Sequence, residues 1–531
     1  MNVLILSGAE SHIEINSFHY SLRSAFLKFN NHFYEINNRY LDNTDFNEYQ
    51  PFQTPSLNSV ILGASLEEIG VPYDILTGLL LDSSSGMSQL DEMLYKKDYG
   101  VIAISTTLLL TPDFVKKLVL HIKKIQNECI IVVGGPLLFN NKSIIDINSI
   151  DYFIYGDGED IFPKLITEII KGNKESQFDG VFGWKDNIRY GNSNCLLVDI
   201  NKQKIPDWEK YLLSHKVKKK NILPENTVFQ LLIETTRGCP FNCAYCNYHN
   251  YGSKVRYKNA NRICVEIDKL YRLGIRKIGF WDTSFTYPPN RLNELLNMIE
   301  KRKYKNLYFS GFATLHSIND ELLKRMSTLG FRELFIGLES GNNSILKAMN
   351  KRITREEIID KFEKFSLIKD INFICSFIVG YPGENYETIE DTIDLIKNIK
   401  VKYIELSPLQ ILRGSELFHN PQRYGLKYIL SESNDLVESW EHLTMNSDQA
   451  LENTLKIYDR ISVETDSLVI APLLHVTSLA QKYNPLKSNS NFRFLKMIQK
   501  GISLSRINSI SELTKVCLEI ESKYKHKIHS N

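Results

Sequence analysis

The chain has 531 residues, of which 43% are hydrophobic and 24% are charged, and its formal net charge is +2. These values are typical of a globular protein with roughly two to four domains and ample core. The balanced charge argues against nucleic acid as a partner. No run of about 18 consecutive apolar residues occurs, so no membrane span is expected.

Residues 1–200 alternate between strand and helix patterns, which predicts a doubly wound α/β domain. The predicted strands are Met1–Leu6, Tyr73–Leu76, Val101–Ile104, Ile130–Val133 and Tyr152–Ile154, and the predicted helices are Leu57–Ile69 and Lys116–Ile125. The first residues have a strand pattern and lack the basic and small-residue segments of a signal peptide.

The turns after three of these strands contain small or hydroxyl-bearing residues. They read Ser105-Thr106-Thr107, Gly134-Gly135-Pro136 and Gly156-Asp157-Gly158-Glu159. In doubly wound sheets, ligands bind at the carboxyl ends of the strands. We therefore expect a ligand at these turns. The alternative is a Rossmann-like domain that binds nothing, or that binds the substrate.

A cysteine motif directly follows the apolar run Val228–Ile233. It reads Thr-Thr-Arg-Gly-Cys-Pro-Phe-Asn-Cys-Ala-Tyr-Cys and places Cys239, Cys243 and Cys246 at CxxxCxxC spacing. Three thiolates on one loop can hold three corners of a cubane iron–sulfur cluster and leave the fourth iron without a protein ligand. The loop alone also permits zinc, because His249 follows closely and zinc accepts three thiolates and one imidazole.

Residues 227–421 are predicted to form six β/α units, an open part of a (β/α) barrel, after a linker at 201–226 that contains the basic run Lys216–Lys220. The predicted strands are Val228–Glu234, Lys277–Trp281, Leu307–Phe312, Glu333–Leu338, Asn372–Val379 and Tyr403–Leu406. The predicted helices are Asn261–Leu273, Asn290–Lys303, Asn319–Leu329, Arg355–Ile368 and Glu387–Ile399. The strands are almost continuously apolar, as in parallel sheets buried on both faces.

The cysteine loop resembles the signature of the radical S-adenosylmethionine (radical SAM) enzymes. Three later strand ends are similar to further motifs of that family: Phe280–Thr286, Gly337–Gly341 and Gly380–Glu384. The ordered set favours a [4Fe–4S] cluster over zinc. In the family, SAM binds the open iron, and one electron from the cluster cleaves SAM to a 5′-deoxyadenosyl radical.

The resemblance implies roles for individual residues. Tyr245 is expected to pack on the adenine, Asp282 to accept from the methionyl amine, and Glu339 to accept from the ribose hydroxyls. The other predicted SAM contacts are Ser340, Gly380 and Gly383. The chain departs from the family at Thr283, where a second acid is common.

The first domain resembles the cobalamin-binding domain of one large radical SAM subclass. By this resemblance, the residues that flank the nucleotide tail of cobalamin are Ser105, Thr106, Thr107, Gly134 and Gly135, and Gly156 and Glu159 are further cofactor candidates. The cobalt-binding motif Asp-x-His-x-x-Gly is not matched, since only His12 fits and Ile15 replaces the glycine. His12 is therefore expected at the surface.

The resemblance implies a cobalamin-dependent C-methyltransferase. It would act on an unactivated carbon of a small molecule or peptide through the deoxyadenosyl radical and methylcobalamin, with electrons from a flavodoxin or ferredoxin. One alternative is a cyclase, rearrangement or epimerisation enzyme that uses cobalamin without methyl transfer. Another is a degenerate, non-catalytic binding protein.

Residues 422–531 lack glycine-rich turns and ligand clusters and are predicted to be mainly helical, as at Gln449–Ile457 and Ser511–Lys523. These helices are expected to cover the open side of the barrel. Just before them, Arg413 follows the sixth strand and is either an anion-binding residue at the barrel mouth or an exposed structural arginine.

The eight cysteines further limit the subclass. Cys129, Cys264 and Cys375 lie in apolar segments and are expected to be reduced core residues, which suits the cytoplasm. Only Cys129 and Cys195 precede the motif, too few for the three-cysteine N-terminal domain of methylthiotransferases. Only Cys375 and Cys517 come well after it, too few for a SPASM-type auxiliary cluster.

Overall fold

This computed structural model describes residues 1–9, 56–81, 84–107, 109, 111–173, 178–185, 188–195, 197–210, 230–248, 254–280, 282–431 and 437–470. The linker residues 211–226, His12, His249 and the predicted helix Ser511–Lys523 lie outside these ranges. None of the described helices is both long and apolar enough to span a bilayer.

The first domain is built on one seven-stranded sheet. Its strands are β1 (Val3–Ala9), β2 (Tyr73–Leu80), β3 (Val101–Ser105), β4 (Ile130–Gly134), β5 (Tyr152–Ile154), β6 (Val181–Lys185) and β7 (Ile188–Gly191). The order is β2-β1-β3-β4-β5-β6-β7, with the first five strands parallel and the last two antiparallel. This strand order reverses between β1 and β3, which is where doubly wound sheets bind ligands.

Helices cover both faces of this sheet. They are α1 (Leu57–Glu68), α2 (Ser84–Lys96), α3 (Pro112–Ile125), α4 (Leu137–Asn140) and α5 (Phe162–Ile170). Alternate strand residues belong to separate cores: Ile102 and Ile104 to one, Val101 and Ala103 to the other. The predicted strands and both predicted helices are present, whereas α2, α5 and the β6–β7 hairpin were not predicted.

The second domain is a sheet of seven parallel strands in the order β8-β11-β12-β13-β14-β15-β19. The strands are β8 (Gln230–Ile233), β11 (Lys277–Phe280), β12 (Tyr308–Ala313), β13 (Phe331–Glu339), β14 (Asn372–Val379), β15 (Tyr403–Pro408) and β19 (Leu468–Ile470). The short strands β9 (Thr236–Arg237) and β10 (Arg256–Tyr257) pair antiparallel beside the cysteine loop. The six predicted strands are thus the first six of one sheet.

Helices connect these strands, and all of them except the short α9 and α12 were predicted from the sequence. They are α6 (Ala260–Arg272), α7 (Pro289–Arg302), α8 (Asp320–Thr328), α9 (Asn343–Ala348), α10 (Arg355–Phe365), α11 (Tyr386–Ile399) and α12 (Glu416–His419). Caps define several of their first residues: Thr354 and Glu357 form a capping box on α10. Parallel strands joined by helices bring all strand carboxyl ends to one edge of the sheet.

The described residues after 421 are less helical than predicted. A small antiparallel sheet comes first, with β16 (Lys427–Leu430), β17 (Val437–His442) and β18 (Met445–Asn446). Helix α13 (Ser447–Glu464) contains the predicted helical segment and leads into β19. Because β19 pairs with β15, the barrel sheet continues beyond the expected boundary at residue 421.

Candidate active site

A cavity of about 770 Å³ lies where the carboxyl ends of the two sheets face each other. Most of the predicted site residues line it: Ser105, Thr107, Gly134, Gly135, Gly156 and Glu159 from the first domain, and Cys239, Cys243, Tyr245, Cys246, Asp282 and Glu339 from the second. The others, Thr106, Ser340, Gly380 and Gly383, do not line it. The two predicted sites are therefore two walls of one space.

The cysteine loop forms one wall and is held in place by its backbone. The Ala244 amide donates to the Met349 carbonyl at 3.1 Å, and the Ala244 carbonyl accepts from the Leu417 amide at 3.1 Å. Burial raises the pKa of Cys243 and raises that of Cys246 to about 12, while the Lys351 ammonium opposes the shift at Cys243. These buried thiols become thiolates only beside a cation or a metal.

The cysteine wall fits an iron–sulfur cluster. Cys239, Cys243 and Cys246 are free thiols of intermediate exposure that share one loop and line one cavity. Among the residues described, no three or more Cys, His, Asp or Glu side chains are grouped as ligands of a single metal ion.

Beside the cysteines, the buried Glu339 joins Tyr245 and Lys351 in a polar network that lines the cavity. The Tyr245 hydroxyl donates to Glu339 Oε1 at 2.9 Å, and Lys351 Nζ donates to the same oxygen at 3.3 Å and to the Gly337 carbonyl at 2.8 Å. Glu339 has a φ of 72°, at a register shift between β13 and β14. A Cβ atom on Gly337 would collide with the Glu339 carboxylate, so a larger residue at 337 would displace this carboxylate.

Asp282 lines the cavity, but its carboxylate is bonded to the end of β8. Oδ1 accepts from the amides of Thr235 at 2.6 Å and Thr236 at 2.9 Å, and Oδ2 accepts from the Thr235 hydroxyl. Burial raises the pKa of Asp282, against the opposing effects of Arg291 and these hydrogen bonds. In this arrangement, Asp282 orients the strand that carries the cysteine loop.

The glycine turn after β14 packs on the C-terminal segment instead of on the cavity. A Cβ atom on Gly380 would lie 2.5 Å from Ala450 Cβ and 2.7 Å from the Trp440 ring. The Gly380 carbonyl also lies 3.2 Å from His442 Nε2. Glycine is therefore required at 380 for packing against β17 and α13.

The other two predicted SAM contacts outside the cavity have local partners. Ser340 is fully buried, and its Oγ accepts from the Asn342 amide at 3.2 Å. Gly383 has a φ of 94°, and a Cβ atom there would lie 3.8 Å from Ile345 Cδ1.

In the first domain, the hydroxyl turn and the glycine turn bond to each other. Thr106 Oγ1 donates to the Gly134 carbonyl at 3.0 Å, and the Leu137 amide donates to Thr106 Oγ1 at 3.2 Å. Gly135 has a φ of 112°, and a Cβ atom there would lie 2.9 Å from Thr106 Oγ1. Thr106 therefore shapes the turn from behind the cavity.

Thr107 and Ser105 present their hydroxyls to the cavity itself. Their oxygens lie 3.0 Å apart, and Asn58 Nδ2, from the start of α1, donates to Thr107 Oγ1 at 2.5 Å. Asn58 also lines the cavity.

An apolar slot extends from these turns into the first domain. It lies between the sheet and helices α1 and α5, and is lined by Ala103, Val132, Ile154, Leu62 and Phe162. Gly134 stands at its edge, where a Cβ atom would make only ordinary contacts with Ile154. The slot can take a flat, apolar part of a ligand whose polar part meets the hydroxyl turn.

A buried ion-pair cluster joins the two walls. Arg237, two residues before Cys239, donates to Asp157 Oδ1 at 2.6 Å, to Glu159 Oε1 at 2.6 Å and to both oxygens of Glu234. Burial disfavours the charge, but these carboxylates outweigh it and raise the pKa of Arg237. Glu159 is thus occupied by a contact between the domains.

Lys351, Arg237 and Asn58 are site residues that the sequence did not identify. Arg237 lies inside the cysteine motif, and this position was the one sequence feature that could have identified it as a site residue. Lys351 follows α9 without a motif of its own, and only the fold brings it beside Glu339.

Comparisons with known proteins agree with this architecture. Residues 233–396 match the model of the radical SAM superfamily. An uncharacterized methyltransferase of Pyrococcus horikoshii is 26% identical over 383 residues, covering 70% of this chain and 77% of its own.

Two solved structures are similar over nearly the whole chain. The radical SAM methyltransferase TsrM from Kitasatospora setae, solved with tryptophan substrate and a SAM analogue, has a TM-score of 0.65 at 13% identity and covers 94% of this chain and 98% of its own. The cobalamin-dependent SAM radical enzyme OxsB, solved with aqua-cobalamin and SAM, has a TM-score of 0.63 at 14% identity and covers 100% of this chain and 80% of its own. The chain therefore contains a radical SAM domain, and its fold is that of TsrM and OxsB.

Proposed function

We propose that this enzyme is a cobalamin-dependent radical SAM methyltransferase that methylates an unactivated carbon. One observation carries the proposal. The cysteine loop of the barrel and the hydroxyl and glycine turns of the first domain line the same cavity. Two cofactors bound at these walls would face each other across the space left for a substrate.

The barrel wall would hold a [4Fe–4S] cluster and SAM. Cys239, Cys243 and Cys246 would bind three irons, and the methionyl amine and carboxylate of SAM would bind the fourth. Lys351 provides a partly buried cation close to Cys243, suited to a carboxylate, and its ammonium is already oriented by Glu339. Tyr245 places an aromatic ring on the same wall.

The wall of the first domain would hold cobalamin. The slot beneath Gly134 is apolar and would suit the flat base of the nucleotide tail of cobalamin, and Ser105 and Thr107 supply hydroxyls at its entrance for the polar part of the tail.

The cofactors carry the chemistry: SAM at the cluster supplies a 5′-deoxyadenosyl radical, and cobalamin supplies the methyl group. The protein positions both and excludes water. The substrate would be a small molecule or peptide that reaches the cavity between the two walls. An external flavodoxin or ferredoxin would supply the electron.

A second outcome uses the same cavity. A substrate radical formed there can also cyclise, rearrange or epimerise without accepting a methyl group. SAM labelled in its methyl group separates the outcomes, because only methyl transfer places the label in the product. Accumulation of deoxyadenosine with an unlabelled product would contradict the methyltransferase proposal and favour the second outcome.

A further inference from the structure

The cysteine loop has an outer side that forms part of the protein surface. Asn242 is exposed, and its Oδ1 accepts from Asn350 Nδ2 at 2.8 Å. Asn247 Nδ2 donates to the Arg413 carbonyl at 3.0 Å on the other side of the loop. Asn247 and Asn350 also line the cavity, so residues 347–352 and 413–423 frame the loop where it passes from the cavity to solvent.

These two segments give the surface around the loop a positive charge. Residues 239–248 of the loop contain no charged side chain. Apart from Lys351, which lines the cavity and pairs with Glu339, the basic residues of the framing segments are Lys347, Arg352, Arg413 and Arg423, and Glu416 is their one acid. Lys347, Arg352 and Arg423 are exposed, and only Arg423 is close to Glu416, at 3.2 Å. We call these four basic residues the basic face.

We propose that the basic face docks the one-electron carrier that reduces the cluster, a small acidic protein with a flavin or an iron–sulfur group. This inference rests on the proposed function, since a cluster that cleaves SAM must be supplied with electrons. The carrier loses one electron and the cluster gains it, with no bond made or broken in this step.

The position of the loop explains why the carrier would use this face. The inner side of the loop lines the cavity, which the first domain covers and where SAM would bind. A protein carrier therefore has to approach from the outer side. Complementary charge raises the association rate and orients the partner, and exposed charges do this without a large apolar patch.

The test compares two triple charge reversals. One variant combines Lys347→Glu, Arg352→Glu and Arg423→Glu in the basic face. The matched control combines Lys269→Glu, Arg272→Glu and Lys301→Glu, all exposed near the carboxyl ends of α6 and α7, at the opposite end of the barrel. Both variants change the net charge of the chain equally.

The dissociation constants of the reconstituted proteins for purified flavodoxin and for a [2Fe–2S] ferredoxin are measured at low and moderate salt. We expect the basic-face variant to bind a carrier about tenfold or more weakly at low salt, with a smaller effect at moderate salt, where exposed charges are screened. The control is expected to bind like the wild type. Deoxyadenosine formation with dithionite, which needs no docking, is expected to be equal in all three.

Equal dissociation constants for the basic-face variant and the wild type would overturn the proposal. So would the absence of saturable binding of either carrier to wild-type protein with a full cluster. Cobalamin content and methyl transfer are not read in this experiment. A failure of the methyltransferase proposal would therefore leave the docking result interpretable.

Discussion

The two walls of the cavity are built by different means. The barrel wall depends on charged and polar side chains, with Glu339 bonded to both Tyr245 and Lys351 beside the cysteines. The first-domain wall depends on backbone turns, hydroxyls and an apolar slot between sheet and helices. We infer that the barrel recognises its ligand by charge and coordination, whereas the first domain recognises its ligand by shape.

The largest effect is expected from Cys243→Ala. The cluster would lose one of its three thiolate ligands, and both the cluster and deoxyadenosine formation are expected to be lost. Iron and sulfide analysis, together with visible absorbance, measures the cluster content. Chromatography of the reaction mixture measures deoxyadenosine. The buried core cysteine variant Cys264→Ala is the control and is expected to keep its iron. Retention of a complete cluster in Cys243→Ala would refute the ligand assignment.

The next largest effect is expected from the ion-pair cluster around Arg237, which joins the two walls. Arg237→Gln would remove the cation that Asp157, Glu159 and Glu234 share, and only Asp157 would keep a second cation, Arg256; breaking such a pair costs about 3–5 kcal/mol. Urea unfolding of the cofactor-free protein measures this loss. Arg302→Gln removes a more exposed pair with Asp268, and about 1 kcal/mol or less is expected. Equal losses of unfolding free energy in both variants would show that the Arg237 cluster stabilises the protein no more than an ordinary surface ion pair.

Two substitutions test recognition by charge in the barrel wall. Lys351→Met would remove the cation close to Cys243, and Glu339→Gln would remove the charge that orients this cation. Each is expected to weaken SAM binding by about ten- to hundredfold, the equivalent of a charge-assisted hydrogen bond of roughly 1.5–3 kcal/mol. Equilibrium binding of SAM to the reconstituted protein measures the change, with iron content unchanged. A wild-type affinity for SAM in both variants would show that these two charges do not contribute to SAM binding.

The smallest effect tests recognition by shape. Gly134→Leu would place a side chain at the edge of the slot, and overpacking of about 1–3 kcal/mol predicts roughly tenfold weaker cobalamin binding. Cobalamin absorbance after denaturation measures occupancy, and SAM cleavage is expected to be spared. Thr107→Val keeps the volume but removes one hydroxyl, so a milder loss is expected. Full cobalamin occupancy in Gly134→Leu would show that cobalamin does not bind in the slot.

The structure also changes which glycine is the better probe of this wall. Gly135 has a positive φ, and a Cβ atom there would press on Thr106. Any larger residue at 135 therefore distorts the turn as well as the space for the ligand. Gly134 accepts a Cβ atom without such a clash, so its substitution reports on the slot alone.

The sequence predicted the strand–helix order of both domains because buried parallel strands and amphipathic helices have strong local patterns. The strand Asn372–Val379 was predicted with both ends correct. The sheet formed by β16–β18 was missed, since short half-exposed strands such as Lys427–Leu430 have weak patterns.

The site was predicted less completely than the fold, because its polar contacts join distant parts of the chain. Glu159 was expected at a cofactor, yet its carboxylate accepts from Arg237, 78 residues away. Asp282 was expected to accept from SAM, yet it is bonded to Thr235 and Thr236. A motif specifies the residue type, and only the packed structure specifies its partner.

The most direct test of the central claim is the cofactor content of the wild-type protein. After expression with excess cobalamin and anaerobic reconstitution, we predict the iron and sulfide of one [4Fe–4S] cluster together with one cobalamin per chain. Both would be quantified in the same sample, by metal analysis and by absorbance after denaturation. A complete cluster without bound cobalamin would contradict the claim that one cavity is shared by these two cofactors.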